Sequence, residues 1–372
     1  MKLAASRQLD GYPADLATVA DEVVVLMSRD GATVLESYDA RLAPRWGKRL
    51  EPGADALLTV DRTLWVLDPE GVWACGGGGE CLARVKVQPH DGMRLAALSP
   101  AGDGFVFAWQ HDIRTPMRFA VLERVDAGGT IRWSATLPVG PVGYDGVVQM
   151  RADEGWRPRP MDPWTPETWF ATSRTLTVSE DAVLVCFSEM PRSGIGFGYV
   201  ASLADGTLRF TTQTGPISKV AAVGGGAFLV GYQGYGAFET LRYDRDGRVA
   251  ERWASHGHYL VGDGVRVVEL ENRLPSTMHL ARLLPGGAVT RGDWLDGYYT
   301  SRPLLGADGT AYFFRKGVVL AARDLAVAER LPLTAADDGL FSTAIAGGEH
   351  GFYLAYTQRA QSAGASLVRV DL

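Results

Sequence analysis

Four short apolar runs decide the fold: Lys219-Val-Ala-Ala-Val223, Ala227-Phe-Leu-Val-Gly-Tyr232, Phe238-Glu-Thr-Leu-Arg-Tyr243 and Arg248-Val-Ala-Glu-Arg-Trp253. Each run is too short for an amphipathic helix and is rich in residues that favour strands. Gly224-Gly-Gly226 and Asp244-Arg-Asp-Gly247 separate the runs, and glycine suits such turns because it tolerates positive φ. The stretch therefore predicts a four-stranded antiparallel unit, with strands a, b, c and d in chain order.

The same plan recurs along the chain with a period of about 40 residues, which is typical of repeat architectures. The turn between strands c and d appears as Asp126-Ala-Gly-Gly129, Ala204-Asp-Gly206, Asp244-Arg-Asp-Gly247 and Pro285-Gly-Gly287. Strand d carries Arg followed by a large apolar residue, as in Arg45-Trp46, Arg132-Trp133, Arg209-Phe210, Arg252-Trp253 and Arg330-Leu331. A large residue at this place would pack one unit on the next.

The units fill most of the chain. Seven complete ones lie near residues 14–53, 54–91, 92–139, 172–215, 216–257, 258–297 and 298–336. Phe341–Ala346, Gly351–Thr357 and Ser366–Leu372 supply three strands of an eighth unit, and Lys2–Leu9 supplies the fourth. We therefore predict one all-β domain over residues 1–372, a β-propeller of four-stranded blades whose ring closes through this pairing. Eight blades are preferred; seven is the alternative if the short second unit merges with a neighbour.

Composition and net charge limit the classes of partner that the chain is expected to bind. Hydrophobic residues make up 46% of the chain and charged residues 22%, which is ordinary for a globular domain. The 37 basic and 43 acidic residues give a net charge of −6, which argues against nucleic acid as a partner. The apolar runs are too short to span a bilayer, so no membrane partner is expected. The sequence leaves the oligomeric state open.

The cysteines and the first residues bear on the compartment. Residues 1–10 contain no apolar core of signal-peptide length. The chain has three cysteines, and a low odd number fits a reducing cytoplasm. We expect Cys75 and Cys81 to be separate thiols on either side of a glycine-rich loop, and Cys186 to be a core residue. The predicted location is the cytoplasm.

The repeat resembles that of the quinoprotein-dehydrogenase-like (PQQ-like, WD40-like) β-propellers. Glu70-Gly71, Asp205-Gly206 and Asp246-Gly247 match its turn, and Trp46, Trp133 and Trp253 match its terminal tryptophan. The resemblance covers nearly the whole chain and implies the fold. The adjacent Cys-Cys pair found in many quinone dehydrogenases is missing, so none of their chemistry is carried over and no cofactor is predicted.

The largest departure from the repeat is an insertion at about residues 140–171. Three of the ten tryptophans lie there, with several prolines and arginines. A long irregular segment inside a compact domain is usually functional. Trp and Arg are also enriched at the energetic centres of protein interfaces. The insertion therefore predicts either a lid over the channel mouth or a binding site. The candidate binding residues are Trp156, Arg157, Arg159, Trp164 and Trp169, together with Tyr232 and Tyr235 from another unit.

Histidines give a second candidate site. Strand connections d–a and b–c share one face of a propeller, and His90, His111, His256 and His258 are predicted to reach that face. Imidazoles that converge there could act as general acid and base or bind a metal. The candidate catalytic residues are His90, His111, Asp112, His256 and His258, and the candidate metal ligands are His256 and His258. The alternative is that these histidines are scattered loop residues.

These patterns predict a cytoplasmic interaction module that binds a protein or peptide through its long-loop face. The sequence contains no Walker A, nucleophile-elbow or zinc-protease motif. The alternative is an enzyme, a lyase or hydrolase with or without a metal, with its site at the channel mouth.

Overall fold

The computed structural model describes most of the chain. The described residues are all except 51–55, 61–62, 69–70, 76–77, 87–89, 91–92, 112–118, 139–170, 190–195, 215–218, 224–226, 234–237, 255–256, 263–266, 274–276, 293–294, 297–303, 307, 316, 334–340 and 358–364. The described part consists of β-strands joined by turns, with one short 3-10 helix at Pro285–Gly287. None of its helices is long and apolar enough to cross a membrane.

The chain separates into two compact units. Unit 1 contains residues 1–88, 261–284 and 288–372, and unit 2 contains residues 89–260 and 285–287. The strands of unit 1 are β1 Lys2–Leu9, β2 Tyr12–Val19, β3 Glu22–Arg29, β4 Ala32–Tyr38, β5 Pro44–Leu50, β6 Ala56–Val60, β7 Thr63–Asp68, β8 Gly71–Cys75, β9 Cys81–Lys86, β23 Val267–Arg273, β24 Thr277–Leu283, β25 Val289–Arg291, β26 Leu295–Asp296, β27 Leu304–Leu305, β28 Ala311–Arg315, β29 Val318–Arg323, β30 Ala326–Pro332, β31 Phe341–Gly348, β32 Gly351–Thr357 and β33 Ala365–Asp371.

The strands of unit 2 are β10 Met93–Ala101, β11 Gly104–His111, β12 Phe119–Asp126, β13 Ile131–Pro138, β14 Ala171–Ser179, β15 Ala182–Glu189, β16 Gly196–Ser202, β17 Leu208–Thr214, β18 Lys219–Val223, β19 Ala227–Gln233, β20 Phe238–Tyr243 and β21 Val249–Trp253. The chain passes from unit 2 to unit 1 within β22 (Gly257–Gly262).

Except for the sheet that contains β24, the sheets have the predicted four-stranded plan. Unit 2 contains the four-stranded sheets β10–β13, β14–β17 and β18–β21, each in chain order, and the described pairs are antiparallel. Unit 1 contains the corresponding sheets β2–β5, β6–β9 and β27–β30. In a further sheet, β23, β24 and β25 pair in chain order, and β26 also pairs with β24. The remaining sheet of unit 1 has the order β1-β33-β32-β31.

The first strand of the chain completes the sheet of its last strands, as predicted. β1 pairs antiparallel with β33, from Lys2 opposite Asp371 to Leu9 opposite Ala365. The closure of a ring and the choice of eight blades over seven stay predictions.

Strand β3 shows why the strands are continuous apolar runs. Val23, Val25 and Met27 join a core cluster with Leu367 of β33, whereas the alternate residues Val24 and Leu26 join another with β7. Because both faces of this sheet are covered, its residues do not alternate between apolar and polar. Val23–Met27 are accordingly at most 1% exposed.

The turn between strands c and d is built around an aspartate. The Asp126 Oδ1 accepts hydrogen bonds from the backbone N–H of Gly128 (3.0 Å) and Thr130 (2.8 Å). The bond from Thr130, followed by the charge of Arg132, lowers the pKa of the Asp126 carboxyl. Asp244 accepts the same two bonds, at 2.9 Å each, from Asp246 and Arg248. The Asp-x-x-Gly motif is therefore a self-capped turn.

The glycine of this turn lies against the aromatic residue of the preceding sheet. Gly206 has φ +74°, and a Cβ added there would lie 2.6 Å from the indole of Trp133. A Cβ on Gly247, at φ +81°, would lie 2.4 Å from the Phe210 ring. Trp133 also donates its indole N–H to the Leu203 carbonyl (2.8 Å) in the same turn as Gly206. This contact confirms that the large residue of strand d packs one unit on the next.

One expectation about the cysteines is wrong. Cys75, at the end of β8, is disulfide-bonded rather than a free thiol. Its Cα partner across the β8–β9 pair is Cys81. A glycine-rich c–d connection brings the two positions opposite each other, which the sequence spacing alone did not indicate.

We predict that Gly206→Ala and Gly247→Ala destabilise the protein more than Gly31→Ala. All three glycines have φ between +73° and +81°, but nothing lies within 4 Å of a Cβ at Gly31. Alanine at Gly31 therefore costs only its left-handed conformation, about 1 kcal/mol. The other two variants add overpacking against a ring, about 1–3 kcal/mol more. Urea unfolding measures the difference, and equal losses in all three variants would contradict the packing argument.

Candidate functional site

Two of the three sheets of unit 2, β10–β13 and β14–β17, have longer connections at one end than at the other. Seven residues (112–118) join β11 to β12, and six (190–195) join β15 to β16. At the opposite end, two-residue turns, Gly102-Asp103 and Glu180-Asp181, join β10 to β11 and β14 to β15. The connection 139–170 joins β13 to β14 at the same end as 112–118 and 190–195. We call this end, defined by these three connections, the loop end of unit 2.

A hydrogen-bonded cluster of His90, Glu123 and Trp109 lies in unit 2. His90 precedes β10, and its Nε2 is 2.8 Å from Oε1 of Glu123 on β12. The indole N–H of Trp109, on β11, donates to Oε2 of the same carboxylate at 2.9 Å. The His90 ring meets the Trp109 ring edge-on, with 5.7 Å between centroids. Both oxygens of Glu123 are therefore engaged.

The two hydrogen bonds to Glu123 stabilise the sheet because their polar groups are buried. The Glu123 side chain is only 3% exposed, and Trp109 is fully buried. A buried polar group costs free energy unless it is hydrogen-bonded. Phe105, Phe107 and Trp109 form a continuous row of ring contacts along β11, which fixes the indole that holds the carboxylate.

The cluster orients one imidazole whose ring reaches solvent. The His90 side chain is 33% exposed, and one ring nitrogen is held by Glu123. A buried carboxylate that fixes the tautomer and orientation of a partly exposed imidazole can support proton transfer or ligand binding at the other nitrogen. The same bonds can also simply anchor the connection before β10 to the sheet.

The structure gives the strand positions of two further predicted histidines, His111 and His258. His111 is the last residue of β11, and its Cα partner is Met93, three residues after His90. His90 and His111 thus lie at the same end of one sheet. His258 is the second residue of β22 and not part of a connection, which corrects the sequence assignment. It belongs to a different sheet from His111.

Of the remaining candidate residues, only Tyr232 is among the described residues. Tyr232 lies in β19, one residue before its end. The remaining predicted site residues lie outside the described residues: Asp112, Trp156, Arg157, Arg159, Trp164, Trp169, Tyr235 and His256.

Sequence reasoning missed Glu123 and Trp109. Glu123 is the only acidic residue in the first seven positions of the apolar strand Phe119-Ala-Val-Leu-Glu-Arg-Val-Asp126. An acid within an apolar strand is a signal for a buried, partnered carboxylate. The identity of its partners depends on strand register, which the sequence does not display.

A metal site among the described residues would need three or more ligand side chains grouped together. Within that part of the chain, no three histidine, cysteine, aspartate or glutamate side chains are grouped to hold a metal ion. The adjacent Cys-Cys pair is missing from the sequence, so no step is derived through a quinone cofactor.

Comparisons with known proteins define the class of fold. The structure is similar to BamB from Moraxella catarrhalis, with a TM-score of 0.60 and 12% identity over 99% of both chains. It is also similar to the quinohemoprotein alcohol dehydrogenase from Comamonas testosteroni, with a TM-score of 0.65 and 11% identity over 99% of this chain and 76% of that one. A europium-containing methanol dehydrogenase gives a TM-score of 0.60 at 12% identity, over 100% and 93% of the two chains.

The chain therefore has the β-propeller fold that its repeat predicted. At these identities the likeness establishes the fold alone. No family model matches the sequence. The search of curated proteins also finds no match.

We predict that Glu123→Ala destabilises the protein by about 1–3 kcal/mol, because it leaves the buried Trp109 N–H without its acceptor. Glu123→Gln keeps an acceptor and loses less. Glu349→Ala is the control, because the Glu349 side chain is 83% exposed. Urea unfolding measures all three. If Glu123→Ala and Glu349→Ala behave alike, the cluster does not stabilise the sheet.

Proposed function

We propose that this chain is a protein- or peptide-binding β-propeller module that docks its partner at the loop end of unit 2. The observation that carries the proposal is the contrast between the two ends of the unit 2 sheets. In the β10–β13 and β14–β17 sheets, the b–c connections at one end have seven and six residues, whereas the connections at the other end have two to five. Rigid sheets that present long connections on one side are a common arrangement for binding surfaces.

The insertion at about residues 140–171 supplies the proposed contacts. It belongs to the connection between β13 and β14, which enters the loop end. Trp156, Arg157, Arg159, Trp164 and Trp169 combine large apolar area with bidentate hydrogen-bond donors, the side chains most enriched at interface hot spots. Tyr232 and Tyr235 are proposed as further contacts. The propeller fold that the chain shares with BamB is consistent with an interaction module.

A second candidate function rests on the His90 cluster. Glu123 holds a partly exposed imidazole in one orientation, which is the arrangement that a general acid or base requires. The alternative proposal is therefore an enzyme, a lyase or hydrolase, with His90 and His111 among its catalytic residues.

Deletion of residues 146–170 tests the interaction module. Intact and deleted proteins serve as baits in lysate of the native host, and stoichiometric partners are identified by mass spectrometry. We expect a partner that only the intact bait captures. Asp246→Ala is the control, because this exposed turn residue lies at the opposite end of its sheet. A partner retained by the deleted bait would exclude the insertion, and capture of none would favour the enzyme.

The state of Cys75 tests the cytoplasmic location, which stays a prediction. Disulfides persist in oxidising compartments and are rare in the cytosol, yet Cys75 is disulfide-bonded in the structure. Cells are quenched in acid, free thiols are blocked, and Cys75 is analysed by mass spectrometry before and after reduction. A cytoplasmic protein is expected to have Cys75 blocked as a free thiol. Cys75 protected until reduction would place the protein in an oxidising compartment.

A further inference from the structure

The outer strand β5 of unit 1 concentrates positive charge. Its sequence Pro44-Arg-Trp-Gly-Lys-Arg-Leu50 has three basic and no acidic residues, and the exposed Arg41 precedes it. The other outer strands, β1, β9, β13, β17, β21, β25 and β30, carry net charges between zero and +2. In a chain of net charge −6, this concentration stands out.

The cations of β5 are less neutralised than those of comparable strands. Arg132 of β13 and Arg209 of β17 form ion pairs with aspartates at 2.8 and 2.9 Å. Arg45 has only a 3.8 Å contact with Asp39. Within the described part of the chain, Arg41, Lys48 and Arg49 form no ion pair.

Strand β5 is also open to another strand. β4 pairs with one side of β5, and among the described strands none pairs with its outer side. Such an edge presents unpaired backbone N–H and C=O groups. The strand is held firmly: Trp46 packs on Gly79 and donates its indole N–H to Glu22 at 3.0 Å. An incoming strand would therefore meet an ordered edge.

A groove of about 340 Å³ lies over one face of this sheet, across the β4–β5 pair. Gly47, Lys48 and Arg49 line one side, and Arg29, Asp30 and Glu36 also contribute. Glu36 does not neutralise the β5 cations, because it accepts from Arg29 at 2.6 Å and from the Tyr38 hydroxyl. Asp30 is the remaining acid of the groove. A glycine within a strand often marks a place where another backbone approaches closely.

We propose that β5 is a docking edge for an acidic, extended segment of a partner protein, which adds a strand to the β2–β5 sheet. Beyond the register shift at Arg45, side chains alternate along β5, so Lys48 and Arg49 lie on opposite faces. Acidic residues at alternate positions of the added strand would lie beside Arg49, and its backbone would pair with the open edge. A second copy of β5 is disfavoured as occupant by like-charge repulsion. This proposal is independent of the loop end.

The test uses a fluorescein-labelled ten-residue peptide of alternating glutamate and valine, measured by fluorescence anisotropy with the full chain at low salt. We expect saturable binding that Lys48→Glu/Arg49→Glu weakens at least tenfold. The control Arg248→Glu/Arg330→Glu makes the same change of net charge at exposed residues elsewhere and should change the Kd less than twofold. Far-UV circular dichroism and thermal unfolding verify that both variants fold.

Two further probes distinguish strand addition from charge attraction. A peptide methylated at alternate backbone nitrogens keeps its charge but loses strand pairing, and we expect it to bind at least tenfold more weakly. Absence of binding, equal losses in the two double variants, or full binding by the methylated peptide would overturn the proposal. Tighter binding of a ten-nucleotide oligothymidine that Lys48→Glu/Arg49→Glu abolishes would also overturn it, because the edge would then be a nucleic-acid surface.

Discussion

The contact between a left-handed glycine and an aromatic ring of the preceding sheet sets the spacing of this structure. At Gly206 against Trp133, and at Gly247 against Phe210, no room exists for a Cβ atom. The same contact joins Gly79 to Trp46 in unit 1, where a Cβ would lie 2.7 Å from the indole. Aspartate caps such as Asp126 and Asp244 hold the turns, and the rings then stack successive sheets closely enough to bury both faces.

That contact explains why so much of the fold was predictable. The Asp-x-x-Gly turns and the Arg-aromatic pairs are two halves of one interaction, so the repeat was visible in the sequence. The pattern fails locally where another residue replaces glycine: Leu42 occupies the corresponding turn position at φ +61° and is buried. Its side chain joins the core cluster that contains Val23 and Leu367. At this turn, burial of the Leu42 side chain compensates for a left-handed backbone conformation that glycine would adopt without strain.

The candidate site was less predictable, for a physical reason. The place of His90 in a d–a connection indicated it as a candidate, but its orientation depends on Glu123 and Trp109, which are 33 and 19 residues away in sequence. The pairing register of β11 and β12 brings these residues together, and the local sequence pattern does not reveal that register. The pairing of Cys75 opposite Cys81 is a similar case. The contrast between long and short connections, by comparison, follows directly from strand bounds, and so the loop end could be anticipated.

The pairing of β1 with β33 has a consequence for synthesis. Lys2 meets Asp371, so the partner of the first strand emerges from the ribosome 369 residues later. At about 5–20 residues per second, that interval lasts about 20–70 s. The last sheet therefore assembles only after translation of nearly every other strand, and β1 waits without its partner. Its residues are mostly polar or small, and most remain exposed even when folded. A waiting segment of this kind offers little apolar surface to chaperones or to other nascent chains.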